Sequence, residues 1–290
     1  MKRICVLTLL ICSMLAGKVF SQEEIKLYPN GPEESNELQS AEKWRSTDFL
    51  LDISEPRMYS FIVPKEKTVG TAVLICPGGG YSGVSVIKEG EDIAKWFNNL
   101  GVSAFVLYYR MPNGHHEIPL KDAQTALSII DDNARKWNID RKKIGIMGFS
   151  AGGHLASTVG THFKSDKERP DFMILAYPVI SMDKGVTHKG SRDNLLGKNP
   201  TDKLVNQYSN ELQVTKETPS TFLLHAKDDK TVPVENSKLF YRALLKNNVR
   251  AEIVLTQNGG HGFGMQKKGT DSDGWEKKLK EWLVDENLVK

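Results

Sequence analysis

Residues 144–159 read IGIMGFSAGGHLASTV, an apolar run followed by a G-x-S-x-G pentapeptide and then by a helical pattern. The run 144–147 predicts a buried strand, and the apolar spacing that follows Ala151 predicts a helix. Glycines at 148 and 152 allow a turn so tight that the Oγ atom of Ser150 projects above the sheet. The sequence therefore predicts a serine held in a tight turn between a strand and a helix, a position that suits a nucleophile.

A strand that enters a helix through this pentapeptide is the nucleophile elbow of the α/β-hydrolase fold, in which an acid and then a histidine follow the serine. A serine hydroxyl needs a base to take its proton, and a carboxylate orients that base. Asp229 is the predicted acid because it comes just after the predicted strand 221–226. His261 is the predicted base because it lies in the glycine-rich turn 259–264, after the last predicted strand.

Two aspartates compete for the role of the acid. We prefer Asp229 to Asp228 because it lies three residues before the valine of a D-x-x-V-P pattern. The alternative is that both aspartates cap a helix that begins near Val234. Of the other histidines, His154 is expected to pack near the site, and His225, at a strand end, is expected to be structural.

Acyl transfer also needs N–H donors for the negative oxygen of the tetrahedral intermediate. Ala151 supplies one because it directly follows the serine. The run 76–81, CPGGGY, follows the predicted strand 71–76 and is similar to the H-G-G-G oxyanion loop, which predicts Gly79 and Gly80 as further donors. A phosphate cradle is disfavoured, since the G-x-G-x-x-G spacing and the Walker lysine are missing. No metal or other cofactor is expected, because the sequence has no H-E-x-x-H motif and no cysteine cluster.

Apolar runs of strand length alternate with amphipathic helical stretches along the chain, which predicts an α/β fold with a mainly parallel, doubly wound sheet. Ahead of this alternation, 49–53 and 58–63 predict an antiparallel pair at the N-terminal edge. No linker divides residues 22–290, so we expect one catalytic domain without a large lid. The polar stretch 181–214 is predicted to be a long surface loop near the pocket. The six predicted buried strands are 71–76, 102–109, 144–147, 173–177, 221–226 and 251–255.

Residues 1–21 have the pattern of an export signal, with Lys2 and Arg3 ahead of a short apolar core and small residues before Gln22. A membrane anchor or a buried helix is the alternative, although the run is short for a bilayer span. Removal would leave Cys76 as the single cysteine and would lower the formal charge from +3 to about zero. We therefore expect a secreted or periplasmic protein without disulfides, without a membrane span in the mature chain and without a nucleic-acid partner.

Several short stretches carry a family resemblance: 27–31, 77–81, 89–90, 109–112, 148–152, 177–182, 195–197, 232–237 and 259–264. On these residues the chain resembles the α/β-hydrolase carbohydrate esterases of bacterial polysaccharide breakdown, the acetylxylan-esterase-like and feruloyl-esterase-like group. The resemblance extends over nearly all of residues 22–290 and carries the triad over to Ser150, Asp229 and His261. It implies a secreted esterase that removes acetyl groups from an acylated plant-wall carbohydrate.

Other functions on this fold remain alternatives. A feruloyl esterase would use the same residues and the same mechanism. Prolyl-type peptidases usually carry a propeller or cap domain for which the chain has no room, and kynurenine-formamidase-like amidases have a similar oxyanion loop. A homologue that binds glycans without catalysis would usually lack a triad residue, and none is missing here.

Overall fold

The computed structural model describes residues 22–290, so the predicted export signal at 1–21 lies outside the described residues. This part of the chain contains eleven strands and eight α-helices, with a π-helical turn at Ile87–Glu91 and a 3-10 turn at Asn210–Leu212. The strands are β1 (Gln22–Lys26), β2 (Lys43–Trp44), β3 (Phe49–Leu51), β4 (Arg57–Phe61), β5 (Ala72–Cys76), β6 (Gly83–Ser85), β7 (Ser103–Tyr108), β8 (Ile144–Phe149), β9 (Phe172–Ala176), β10 (Ser220–Ala226) and β11 (Ala251–Thr256). The helices are α1 (Asp92–Asn99), α2 (Ile118–Asp132), α3 (Ala134–Trp137), α4 (Ser150–Val159), α5 (Lys189–Leu196), α6 (Asp202–Tyr208), α7 (Glu235–Lys246) and α8 (Trp275–Asp285).

The central sheet has eight strands in the order β1-β4-β7-β5-β8-β9-β10-β11. The strands from β7 to β11 in this order run parallel to their neighbours, whereas β4 is antiparallel to both β1 and β7. Every residue of β5, β7, β8 and β9 is buried, as expected for central strands covered on both faces. The prediction of an α/β-hydrolase fold with a mainly parallel sheet and an antiparallel N-terminal edge is confirmed.

The chain leaves the carboxyl ends of β5 and β8 in opposite directions. After β5 it passes through α1 to β7 on one side, and after β8 it passes through α4 to β9 on the other. Because such crossovers are right-handed, α1 and α4 lie on opposite faces of the sheet. Ligands bind in α/β sheets at the crevice between two strand ends of this kind. Residues 77–80 directly follow β5, and Ser150 directly follows β8.

The predicted pairing of 49–53 with 58–63 is wrong. Strand β3 pairs antiparallel with β2 and β6 in a separate three-stranded sheet. Strand β4 is flanked on one side by β1 and on the other by β7, so it has no free edge for β3. The sequence pattern does not reveal β1 because its residues, QEEIK, are mostly polar and four of the five are exposed.

The prediction of a long surface loop at 181–214 is also wrong, because this segment contains α5, α6 and the 3-10 turn. The helices have eight and seven residues, too few for an apolar period to stand out. Each begins at a side-chain cap, His188 for α5 and Thr201 for α6. Asn194 on α5 donates from Nδ2 to the carbonyl oxygen of Gly80 at 2.8 Å, which ties this segment to the loop after β5.

Two further findings concern membranes and metals. Of the helices in the described part of the chain, none is long and apolar enough to cross a membrane. Within residues 22–290, no three His, Cys, Asp or Glu side chains are grouped as a metal ion would require.

Cys76 is a buried free cysteine at the end of β5, where burial raises the pKa of its thiol.

Candidate active site

The turn between β8 and α4 is strained and closely packed. Ser150 has a φ angle of 52°, a left-handed conformation that is uncommon for a residue with a side chain. A Cβ atom on Gly148 would lie 2.1 Å from the carbonyl oxygen of Gly152. A Cβ atom on Gly152 would lie 2.1 Å from the carbonyl oxygen of Cys76. Only glycine fits at both positions, and this is the physical reason for the G-x-S-x-G spacing.

Side chains from three separate loops form one line of hydrogen bonds. The Oγ atom of Ser150 is 2.8 Å from Nε2 of His261, and Nδ1 of His261 is 2.6 Å from Oδ2 of Asp229. The carboxylate can only accept, so Nδ1 carries the proton of the neutral ring and Nε2 is left to accept from the serine. The side chain of His261 is 18% exposed, whereas that of Asp229 is fully covered. The predicted acid is thus covered, whereas the predicted base is partly exposed.

The carboxylate of Asp229 is held by four donors. Its Oδ1 atom accepts the backbone N–H groups of Thr231 at 2.8 Å and Val232 at 2.9 Å. Its Oδ2 atom faces His261 and also lies 3.3 Å from Nε2 of His225. Burial raises the pKa of Asp229, but the hydrogen bonds from His225 and His261 outweigh it and hold the pKa well below its ordinary value. Asp229 is therefore charged at neutral pH, ready to stabilise an imidazolium.

Asp228 has a different role from its neighbour. Its Oδ1 atom accepts the backbone N–H of Gly260 at 2.8 Å, which ties the turn after β10 to the histidine loop, residues 259–264. Gly260 has a φ angle of 65°, a left-handed conformation that glycine adopts at no steric cost. The helix-capping alternative fails, because α7 begins after Val234 without a side-chain cap.

The glycine loop, residues 77–80, lies beside the serine. A Cβ atom on Gly78 would lie 2.8 Å from the Cβ atom of Ser150. The backbone N–H groups of Gly79, Gly80 and Ala151 donate to no acceptor within residues 22–290. Unused N–H groups beside a nucleophile, one of them in the first turn of a helix, can accommodate a negatively charged oxygen.

Sequence reasoning assigned no role in the site to Glu89, Tyr177 or His225. Glu89 is 3% exposed, and Tyr177 and His225 are fully buried. Each makes a hydrogen bond or close polar contact with the turns that carry the predicted site residues. His225 lies four residues before Asp229 across the turn that ends β10, and this spacing is the one local signal that points to it. The partners of Glu89 are distant in sequence, so no local pattern reveals them.

Two other histidines pack near the site. The ring of His154 is fully buried, with Nδ1 2.8 Å from the hydroxyl of Tyr81 and Nε2 2.8 Å from the carbonyl oxygen of Tyr208. Burial lowers the pKa of His154 to about 4, so the ring is neutral and structural at neutral pH. His188 lies against the glycine loop, since a Cβ atom on Gly80 would be 3.8 Å from its Cε1 atom.

A groove of about 900 Å³ lies apart from this arrangement, and none of the six predicted site residues lines it. Its walls include Tyr28, Lys121, Gln124 and His162. The candidate active site is therefore defined by its chemistry and by its position at the strand ends, not by the volume of a cavity.

Comparison with known protein families shows which family the chain belongs to. Residues 60–244 match the BD-FAE family. The chain belongs to the BD-FAE family. The matched range begins at the end of β4 and ends within α7, so it contains the glycine loop, the elbow and the turn with Asp229.

Two curated proteins that are similar to the chain carry xylan-related names. The chain is 40% identical over 230 residues to the acetylxylan esterase of Xylanibacter ruminicola, a match that covers 78% of this chain and 47% of that protein. It is 37% identical over 237 residues to endo-1,4-beta-xylanase B of Butyrivibrio fibrisolvens, covering 76% of this chain and 37% of that protein. The chain therefore spans less than half the length of these two curated relatives.

A solved structure agrees with this placement. The crystal structure of the acetyl ester-xyloside bifunctional hydrolase from Caldicellulosiruptor lactoaceticus has a TM-score of 0.78 and 36% identity, covering 95% of this chain and 100% of that chain. The family resemblance predicted from the sequence is confirmed by this structure together with the BD-FAE match.

Proposed function

We propose that the chain is a serine esterase that removes acyl groups, acetyl groups in particular, from xylan-type sugars. The observation that carries the proposal is the line of hydrogen bonds from Ser150 through His261 to Asp229. The substrate class is suggested by the names of the relatives, an acetylxylan esterase and an acetyl ester-xyloside bifunctional hydrolase. Ser150, His261 and Asp229 form the proposed triad, and Ala151, Gly79 and Gly80 supply the proposed oxyanion donors.

In the first half of the proposed reaction, Oγ of Ser150 attacks the ester carbonyl carbon while Nε2 of His261 takes the hydroxyl proton. The carbonyl electrons move to oxygen, which accepts hydrogen bonds from the N–H groups of Ala151 and the glycine loop. Each such donor contributes about 3–4 kcal/mol to the transition state in comparable sites. The charge of Asp229 stabilises the imidazolium that forms, and Asp229 itself takes no proton.

His261 then gives its proton to the leaving sugar oxygen, the carbon–oxygen bond breaks, and the acyl group remains on Ser150. In the second half, water attacks the acyl carbon while His261 takes a proton from that water. The second tetrahedral intermediate collapses, and the proton returns to Ser150. The products are a carboxylic acid and a free sugar hydroxyl, so atoms and charges balance without a cofactor.

The first experiment measures acetate release from acetylated xylan by residues 22–290 and by the Ser150→Ala variant. Ser165→Ala, at an exposed serine in the loop after α4, is the matched control. Release by the parent and the control, with a loss of several orders of magnitude in Ser150→Ala, is the expected result. Retained activity in Ser150→Ala would remove Ser150 as the nucleophile.

The same experiment tests the acyl group. If the parent hydrolyses a small activated acetate ester but releases no acetate from xylan, the esterase mechanism stands. Acetyl groups on xylan are then excluded as its substrate. Ferulate release from a feruloylated arabinoxylan oligosaccharide would then identify the alternative esterase. A fluorophosphonate probe separates both from a glycan-binding homologue without catalysis, because only a live serine hydrolase is labelled at Ser150.

We also propose that residues 1–21 direct export of the chain. The proposal rests on the basic start, the short apolar core and the small residues before Gln22. Expression of the full sequence in a Gram-negative host, followed by N-terminal sequencing of the exported protein, is expected to show a chain that begins at Gln22. Recovery of only uncleaved protein from the cytoplasm would contradict the proposal.

A further inference from the structure

Glu89 has a buried carboxylate whose hydrogen bonds go to residues outside the proposed triad. It lies in the π-helical turn before α1 and is 3% exposed. Its Oε2 atom accepts the backbone N–H of Gly78 at 2.9 Å, and its Oε1 atom accepts the hydroxyl of Tyr177 at 2.9 Å. A buried carboxylate is costly unless donors satisfy it. Here both oxygens are satisfied, and one of the donors belongs to the glycine loop.

Tyr177 continues this connection toward the base. Its hydroxyl, which donates to Glu89, also accepts the backbone N–H of Gly264 at 3.0 Å. Its ring meets that of His261 at an angle of 64°, with centroids 5.0 Å apart. Tyr177 follows β9 with a φ angle of 37°, a strained conformation that persists only where the surroundings fix it. Burial and the carboxylate of Glu89 raise the pKa of Tyr177 well above its ordinary value, so the hydroxyl keeps its proton.

The histidine loop is held at its far end as well. The carbonyl oxygen of Gly264 accepts from Nε1 of Trp275, the first residue of α8, at 2.8 Å. One continuous chain of hydrogen bonds therefore joins the backbone of Gly78 to α8 through Glu89, Tyr177 and Gly264. The proposed oxyanion donors are the residues directly after Gly78, and His261 lies three residues before Gly264.

We propose that Glu89 and Tyr177 are a positioning pair that fixes the oxyanion donors of the glycine loop relative to the catalytic base of the histidine loop. This inference rests on the proposed function, since it assigns those two loops their roles. Neither side chain forms a hydrogen bond with Ser150 or His261, and Tyr177 meets His261 only through its ring. Their effect falls on the transition state, which needs the base and the oxyanion donors in place at the same moment, and not on ground-state binding.

The test compares Glu89→Gln, Tyr177→Phe and the double variant with the parent. Glu89→Gln keeps the volume and an acceptor for Gly78 but turns a donor toward Tyr177, whereas Tyr177→Phe removes only the hydroxyl. Glu91→Gln is the matched control, because Glu91 lies in the same turn and pairs with the exposed Lys95 at 3.2 Å. The measured quantities are kcat and KM for a small activated acetate ester, the rate of fluorophosphonate labelling, and unfolding in urea.

We expect kcat to fall about 10- to 100-fold in each single variant, because a loop displaced by about 1 Å costs about that much. KM is expected to stay within about threefold, since ground-state contacts are unchanged. Labelling, which needs both the base and the oxyanion donors, slows in parallel with kcat. The double variant is expected to be no slower than the slower single variant, because the two side chains act as one unit. Glu91→Gln is expected to keep the parent kcat.

A fall in unfolding stability with kcat within threefold of the parent in both single variants would overturn the inference and leave a structural role only. Losses of kcat that multiply in the double variant would also overturn it. If Glu89→Gln does not fold, Tyr177→Phe decides alone, because it leaves the packing of the ring in place. Failure of the proposed function is distinguishable from all of these, since it shows in the parent as the absence of ester hydrolysis and of labelling at Ser150.

Discussion

The Nε2 atom of His225 lies 3.3 Å from Oδ2 of Asp229, the same oxygen that faces Nδ1 of His261. Nε2 also lies 3.0 Å from the carbonyl oxygen of Val232, and Nδ1 lies 2.7 Å from Oγ of Ser237. A carbonyl only accepts, so the proton of the neutral ring belongs on Nε2, and Ser237 donates to Nδ1. His225 thus supplies a second imidazole N–H to the predicted catalytic acid.

His225→Phe removes that donor, and we expect the variant to be less stable at neutral pH. A carboxyl with a depressed folded-state pKa contributes stability above its unfolded pKa, and this contribution is lost as the pH falls. The pKa of Asp229 rises in the variant because the hydrogen bond from His225, which lowers this pKa in the parent, is gone. The contribution of Asp229 to the difference in unfolding free energy between parent and variant is therefore expected to be constant from pH 8 to 5. It narrows as the pH falls through the Asp229 pKa of the variant.

Urea unfolding at pH 7, 5 and 3 measures this difference. A difference that stays the same at all three values would show that His225 acts through packing alone and would contradict the prediction. Ser237→Ala is the matched control, since it removes the partner on the other ring nitrogen and leaves Nε2 beside Asp229.

Asp229→Asn tests the acid directly. The amide keeps the size of the side chain but can turn a donor toward Nδ1 of His261, which favours the wrong tautomer of the base. A fall in kcat of about 10⁴-fold is expected, as in other triads. Asp228→Asn is the control, because its amide oxygen can still accept from Gly260, and its kcat is expected to fall far less. A loss below tenfold in Asp229→Asn, measured on a small acetate ester, would reassign the acid.

The pH dependence of kcat/KM is a third prediction. Only a neutral imidazole can take the proton of Ser150, and histidines lose their proton between about pH 5 and 8. Activity is therefore expected to rise with pH through this range, while Asp229, with its depressed pKa, remains charged throughout. A flat profile from pH 5 to 8 on a slow substrate, for which chemistry limits the rate, would count against His261 as the base.

The proximity of the three proposed triad residues could be predicted because of where they lie on the sheet. Ser150, Asp229 and His261 each follow a parallel strand, and the carboxyl ends of parallel strands share one edge. Their order along the chain was therefore enough to predict that they meet. In the structure, Oγ of Ser150 and Oδ2 of Asp229 both lie within hydrogen-bond distance of the ring of His261.

Other features could not be predicted because their causes are not local. Strand β1 is polar, and only its pairing with β4 makes it a strand. Glu89 and Tyr177 are 88 residues apart, so their contact depends on how β6 and β9 are placed by the whole fold. His225 was expected to be structural, but a position at a strand end does not show that the turn folds back onto its ring.

Gly79 is the position where the glycine loop tolerates a side chain least. A Cβ atom there would lie 2.0 Å from the carbonyl oxygen of Gly83 in β6, and backbone cannot yield as a flexible side chain does. Gly79→Ala is therefore expected to displace the loop and the N–H groups of Gly79 and Gly80. A loss of about 100-fold or more in kcat follows, comparable to the loss of one oxyanion donor.

Gly269→Ala is the matched control for Gly79→Ala. Gly269 also has a positive φ angle, 72°, but a Cβ atom there would meet nothing within 4 Å. The Gly269→Ala variant is expected to lose a little thermal stability through backbone strain. Its kcat is expected to stay within about threefold of the parent, because the added Cβ atom displaces no neighbouring residue. The measurements are kcat on an activated acetate ester and Tm for both variants. A folded Gly79→Ala protein with the kcat of the parent would mean that the oxyanion donors do not come from the glycine loop. The N–H of Ala151 would then be the one proposed donor left.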